Sequence, residues 1–217
     1  MASFDLNEID RLLNTTRAVR RRLDFARPVA SELVLDCLRL AMQAPNASNH
    51  QDWRWVVVTD ADLRRAVGEE YRRLVVPPVE AQRQAAVDHG DDGEVRILDA
   101  TLYLAERMGE VPVMVIPCLR FQPGPAIPFV WTASMMASIY PAVWSFQLAL
   151  RSRGLGSVLT TAHLIDASRV QELIGIPSAF VQTCLIPIAH TIGDDFRPAR
   201  RRPPEETVVW NHWAAGD

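Results

Sequence analysis

The chain has 217 residues, 48% hydrophobic and 23% charged, with a formal net charge of −3. That is enough for one well-buried domain, read here as spanning residues 1–217, short for two, and too apolar for disorder to be the default. The slight negative charge argues against a nucleic-acid or membrane-surface partner, and the absence of lysine excludes Schiff-base chemistry and pyridoxal phosphate anchored on Lys.

Charges interrupt the apolar start MASFDLNEIDRLL, which is not a signal-peptide pattern. In the run from Thr16 to Arg22, Arg17 and Arg20 stand three apart and would share a face of a helical turn. Leu33, Val34, Cys37, Leu38 and Ala41 follow helical spacing, and Pro45 stops that helix. Trp55 to Val58 reads as a buried strand, and Asp60 opens a second helix over residues 61–75. The charged stretch from Glu80 to Glu94 reads as a mobile surface segment. Helical spacing resumes over residues 95–109, and Val113 to Leu119 reads as a strand.

From Phe121 to Leu150 no residue is charged. A membrane span needs about 20 apolar residues, but four prolines and several polar side chains make this a poor one. A helix apolar nearly all round is better read as a core or subunit-interface helix. Gly154 reads as a helix C-cap. A short helix opened by Asp166 or Ser168 follows, then a strand over Ala179 to His190. The tail from Arg197 to Trp213 is basic, then broken by prolines, then β-like. Together these elements give an α+β fold. Cys37, Cys118 and Cys184 show neither metal-ligand spacing nor a disulfide framework, and a cytoplasmic protein with no metal is expected.

Four stretches can carry chemistry. Arg17 and Arg20 offer fixed charges that suit a phosphate or an electron-rich heterocycle, although a solvated basic turn would look the same. The loop from Ala44 to Trp53 is rich in amide and hydroxyl groups that suit a polar planar ligand, or an ordinary turn. Gly154-Leu155-Gly156 lacks the third glycine and the preceding strand of a dinucleotide fingerprint. Arg200-Arg201-Arg202 before Pro203 becomes part of a site only if the fold returns it to the first arginines.

In this order, the four stretches resemble the nitroreductase family. Thr16-Arg17-Ala18-Val19-Arg20 matches its R-R-S-x-R turn, and Ala44 to Trp53 its A-P-S-x-x-N-x-Q-P-W loop. The helix from Trp131 leads through a G-L-G to the flavin-facing loop, and a basic residue precedes a proline near the end. The resemblance covers essentially the whole chain. It implies a mixed central sheet flanked by helices, and a homodimer with shared active sites. A long interface helix, Trp131 to Leu150, would lie at its centre, and a C-terminal arm would reach the partner.

The implied cofactor is FMN, with NADH or NADPH as co-substrate and an electron-poor acceptor (nitroaromatic, quinone or enone) reduced by a ping-pong route. Flavin N5 would carry the chemistry, so no protein acid or base is required. Carried over by position, Thr16, Arg17 and Ala18 would lie at the phosphate with Arg200 or Arg201. Arg20 would lie at the pyrimidine edge, Pro45, Asn46, Ala47, Ser48 and Asn49 would come from the second subunit, and Thr160, Thr161 and Ala162 would pass along the flavin, with Ser138 contributed by the central helix. Thr16 and Ala18 depart from the family's basic and serine residues, removing two polar phosphate contacts, and Asp52 replaces a proline. The uncharged segment Phe121 to Val130 would govern substrate choice. A non-catalytic flavin-storage dimer, a flavin-dependent dehalogenase and a flavin-degrading relative are the alternatives on the same fold.

Overall fold

The computed structural model describes residues 4–121 and 127–213. Alternation along the strands builds it, because successive side chains of a strand point to opposite faces. In β3 (Val113–Arg120), Val113, Val115 and Leu119 pack on one side of the sheet, while Met114, Ile116 and Cys118 pack on the other. The first side is covered by α2 (Ser31–Ala41) and α5 (Phe129–Arg151). The second is covered by α3 (Ala61–Asp88), α4 (Asp92–Arg107) and α6 (Ala167–Ile174). The result is three layers with two apolar cores.

The remaining strands are β1 (Leu23–Asp24), β2 (Trp53–Val58), β4 (Leu155–Ser157), β5 (Phe180–Gln182) and β6 (Ile186–Thr191), and α1 (Leu6–Thr15) precedes them all. The sheet order is β1-β6-β3-β2, with β4 on β6 and β5 on β3. All five ladders are antiparallel. The sheet is mixed only through an isolated parallel bridge between Ala18 and Ser157.

Several expectations need correction. Arg17 and Arg20 do not share a helical face. The Thr16 amide and hydroxyl both return to the Leu12 carbonyl, at 3.1 and 2.6 Å, which closes α1 before the arginines. The chain then runs extended, with the Val19 amide donating to the Ser157 carbonyl at 2.9 Å. The stretch from Glu80 to Glu94 is not a mobile segment but the end of α3, the turn at His89–Asp91 and the start of α4 in an α3–α4 hairpin. Its charges form the solvated face of that hairpin, with Arg83 paired to Asp99, while Val75 and Ala86 are buried. The Asp91 carboxylate caps α4 by accepting from the Glu94 amide at 2.9 Å.

The run Trp55 to Val58 lies at the end of the sheet, and Val57 is 37% exposed, so it is only partly buried. The expected strand from Ala179 to His190 divides into β5 and β6, because the Thr183 amide and hydroxyl both donate to the Pro117 carbonyl at 2.9 Å. The β-like tail forms no strand among the described residues, because a strand needs a neighbour for its backbone groups. Of the segment Phe121 to Val130, residues 122–126 lie outside the described residues. No helix among the described residues is long and apolar enough to cross a membrane.

Gly154 closes α5 with φ of 73°, as expected of a C-cap region. Gly156, two residues on, is needed for a different reason. A Cβ there would stand 2.8 Å from Thr191 Cγ2, 3.0 Å from Leu23 Cδ2 and 3.1 Å from Val19 Cβ. Only glycine lets β4 approach the Arg17–Arg20 segment this closely. Gly156→Val is expected to destabilise the fold by about 1–3 kcal/mol through overpacking, read as a lower thermal midpoint. An unchanged midpoint would show that the segment is not wedged against β4.

Candidate cofactor site

The arginine segment lines a cleft of about 400 Å³ formed by residues 17–22 together with Ala100, Asp195, Phe196, Arg197 and Pro198. Arg17 reaches across it and donates to the Arg197 carbonyl at 3.3 Å. Arg22 is committed on two sides, to Asp195 at 2.7 Å and over the ring of Phe196 at 4.1 Å. Arg20 is different. It is half-buried and forms no hydrogen bond or ion pair with any described residue. Burial lowers its pKa, and the nearby Tyr71 partly offsets this. The Arg20 guanidinium keeps access to the cleft, where water or a negatively charged ligand group can accept from it.

Tyr71 of α3 feels the charge of Arg20 and bonds to the loop after β4. Its hydroxyl lies 2.8 Å from Thr160 Oγ1. Burial pushes its pKa up, while the Thr160 hydrogen bond and the charge of Arg20 pull it back. The Thr160 backbone is held by reciprocal bonds with Leu185, at 3.0 and 2.8 Å. Thr161 is exposed, and Ala162 packs partly buried against the core. The fold thus gathers Arg17, Ala18, Arg20 and Thr160 near one end of the sheet, where Thr16 spends its hydroxyl on capping α1.

Arg200 and Arg201 are exposed and do not line the cleft; its tail arginine is Arg197. Sequence reasoning missed Arg197 because it chose the triple arginine by its position before a proline. It missed Tyr71 because a tyrosine among Glu70 and Arg72 reads as a surface residue. The spacing Val67, Tyr71, Val75 was the available signal.

The other expected residues form a second group. Pro45, Asn46 and Ala47 line a separate cleft of about 280 Å³ with Ser134, Ala137 and Ser138. The Ser138 hydroxyl donates to the Ser134 carbonyl at 2.8 Å and accepts from the Ala47 amide at 3.0 Å, anchoring the loop on α5. Ser48, Asn49 and Gln51 all take φ of 53°, a left-handed conformation rare outside glycine. Ser48 and Asn49 are exposed.

The sequence profile of the nitroreductase family matches residues 13–190. The chain belongs to the nitroreductase family. Members of this family are FMN-dependent oxidoreductases. A Thermus thermophilus relative named NADH dehydrogenase is 28% identical over 202 residues, covering 89% of this chain and 91% of that one. An iodotyrosine deiodinase of Thermotoga neapolitana is 28% identical over 196 residues, 89% of this chain and 92% of its own. Among solved structures, an iodotyrosine deiodinase bound to FMN and 3-iodo-L-tyrosine superposes with a TM-score of 0.70 at 23% identity, covering 94% of this chain and all of the other.

One buried group beside the site of this nitroreductase-family chain carries a pH prediction. His163, in the short helix Ala162–Asp166, is 0% exposed, and neither ring nitrogen has a partner among the described residues. Burial pulls its pKa down from 6.5 to about 4. The unfolded chain therefore binds a proton between these values that the folded chain refuses. Stability falls as pH drops from about 6.5 to 4, by about 3 kcal/mol at roughly 1.4 kcal/mol per pKa unit. His163→Leu should flatten that part of the stability curve, measured by denaturant unfolding at pH 7 and pH 4.5. Equal acid sensitivity in both proteins would remove His163 as its source.

Proposed function

We propose that the chain is an FMN-dependent NAD(P)H oxidoreductase, working as a homodimer with shared active sites. The observation that carries this reading is Arg20, a half-buried cation on the wall of an arginine-lined cleft, with no hydrogen-bond or ion-pair partner among the described residues. Arg17 and Arg197 both line that cleft and suit a phosphate. They stand in for the polar contacts that Thr16 and Ala18 do not supply. Arg20 suits negative charge developing on an adjacent heterocycle, and a fixed cation there stabilises charge where it appears. FMN, when bound, supplies the two-electron carrier that takes hydride from NADH or NADPH and passes it to an electron-poor acceptor such as a nitroaromatic, quinone or enone. Arg20 cannot exchange a proton near neutrality, so its role is electrostatic.

Two observations support the dimer. The loop residues Pro45, Asn46 and Ala47, with Ser138, line a cleft different from that of the arginines, as expected if the loop serves the partner's cofactor. On α5, Val130, Ala137, Pro141 and Trp144 form an exposed apolar stripe at helical spacing. The nicotinamide assignment draws support from the Thermus relative. Reductive dehalogenation of a halogenated aromatic is the second reading, favoured by the deiodinase relative that aligns over 89% of the chain.

The test is direct. The purified protein should bind about one FMN per chain in preference to FAD, and oxidise NADH or NADPH faster when an electron-poor acceptor is present. Parallel double-reciprocal lines would support the ping-pong order. Halide release from a halotyrosine, without turnover of nitroaromatics, would favour the second reading. A protein that remains colourless in excess FMN would overturn both.

A further inference from the structure

The phenolic hydroxyl of Tyr71 has a single hydrogen-bond partner among the described residues, Thr160 Oγ1 at 2.8 Å. Its ring needs no hydroxyl to pack. Val67, Tyr71 and Val75 follow each other at four-residue intervals on α3, all 3% exposed or less, in one apolar core. Phenylalanine would fill the same space without placing an oxygen in that core. Thr160 likewise needs no help with its backbone, which Leu185 holds by two hydrogen bonds. What the tyrosine adds is control of the Thr160 side chain.

The direction of that control follows from acidity. A phenol is the better donor in a pair with an aliphatic alcohol, and a neighbouring cation makes it better still. Arg20 is that neighbour. Either oxygen could donate; acidity favours Tyr71 as the donor and Thr160 Oγ1 as the acceptor, which leaves the Thr160 proton free to point away from the core.

We propose that Tyr71 is a positioning residue of the cofactor site, orienting the Thr160 hydroxyl as a donor toward the cofactor bound beside Arg20. This rests on the flavoprotein reading above. Arg20, Tyr71 and Thr160 then form one connected unit, so that the charge at one edge of the ligand and the donor from the loop are coupled through a buried phenol.

The experiment compares Tyr71→Phe, Thr160→Val, Thr160→Ser and the Phe/Val double variant with the wild-type holoprotein. The readouts are the FMN dissociation constant and the midpoint potential of the bound flavin. Tyr71→Phe should weaken FMN binding roughly two- to tenfold, the range of one hydrogen bond, and move the potential negative. Thr160→Val should reproduce both effects, and the double variant should add little to either single one. Thr160→Ser should stay near wild type. Independent, additive losses, or an unchanged affinity and potential in a folded Tyr71→Phe protein, would overturn the proposal while leaving the flavoprotein reading intact. If Tyr71→Phe does not fold, Thr160→Val against Thr160→Ser decides the matter, because both keep Tyr71. A wild-type protein that takes up no FMN would overturn the reading itself and this inference with it.

Discussion

Arg20→Ala is expected to act in opposite directions on the holoprotein and the flavin-free chain. FMN binding should weaken by roughly 10- to 100-fold, the loss of a charged hydrogen bond worth about 1.5–3 kcal/mol. The potential of any flavin still bound should fall, and its reduction by NADH or NADPH should slow, because developing negative charge loses its counter-charge. The flavin-free variant should be no less stable than wild type. Arg20 makes no hydrogen bond or ion pair with the described residues, and burial penalises its charged form, so the alanine gives up no contact of that kind. Ligand-free and ligand-saturated thermal midpoints measure both signs in one experiment. An ordinary surface arginine would leave FMN affinity and potential unchanged. A structural arginine would lower the ligand-free midpoint. Either outcome would contradict the role.

The second large effect distinguishes the two faces of α5. Ile139 and Val143 are 0% and 1% exposed within one chain, whereas Trp144 is 45% exposed. An aspartate at Ile139 would place an unpaired charge in the chain's own core, and that variant should fail to fold at all. Ile139 and Val143 are therefore not probes of the subunit interface, although the uncharged helix makes them look so. Trp144→Asp is the probe. It should leave the circular dichroism of the chain native, weaken the dimer by at least about 2 kcal/mol, or roughly thirtyfold, as for a central interface tryptophan, and release FMN as subunits separate. Sedimentation velocity at micromolar concentration reads the first effect and flavin fluorescence the second. A Trp144→Asp protein that remains dimeric and yellow would remove α5 from the interface. A wild type that is monomeric while holding FMN would refute the shared sites.

How much of this was legible beforehand depended on whether a local rule was sufficient. The helix α2 was readable because Val34, Cys37, Leu38 and Ala41 repeat at helical spacing and Pro45 cannot continue it. Strand β3 was readable as a continuous apolar run, because both of its faces are covered by helices. The Glu80–Glu94 stretch was misread because charge density reports solvent exposure and not mobility. The apolar residues that hold the α3–α4 hairpin together are spread too thinly along it to stand out.

The site separated along the same line. Local motifs were enough to place Arg17, Arg20 and the Pro45–Asn49 loop among the candidate groups, since each is a short run of suitable chemistry. The bond between Tyr71 and Thr160 was not readable. The two residues are 89 apart, and no periodicity encodes a contact between a helix and a distant loop. The choice of Arg197 over Arg200 and Arg201 at the cleft was hidden for the same reason: four like charges within six residues are chemically interchangeable until the path of the chain separates them. The sequence by itself determined that α5 would be a helix uncharged up to its last residue, Arg151. Because its apolar residues surround the axis, they carry no directional signal, and only packing against α2 and the sheet decided that Ile139 and Val143 face the core while Pro141 and Trp144 face outward.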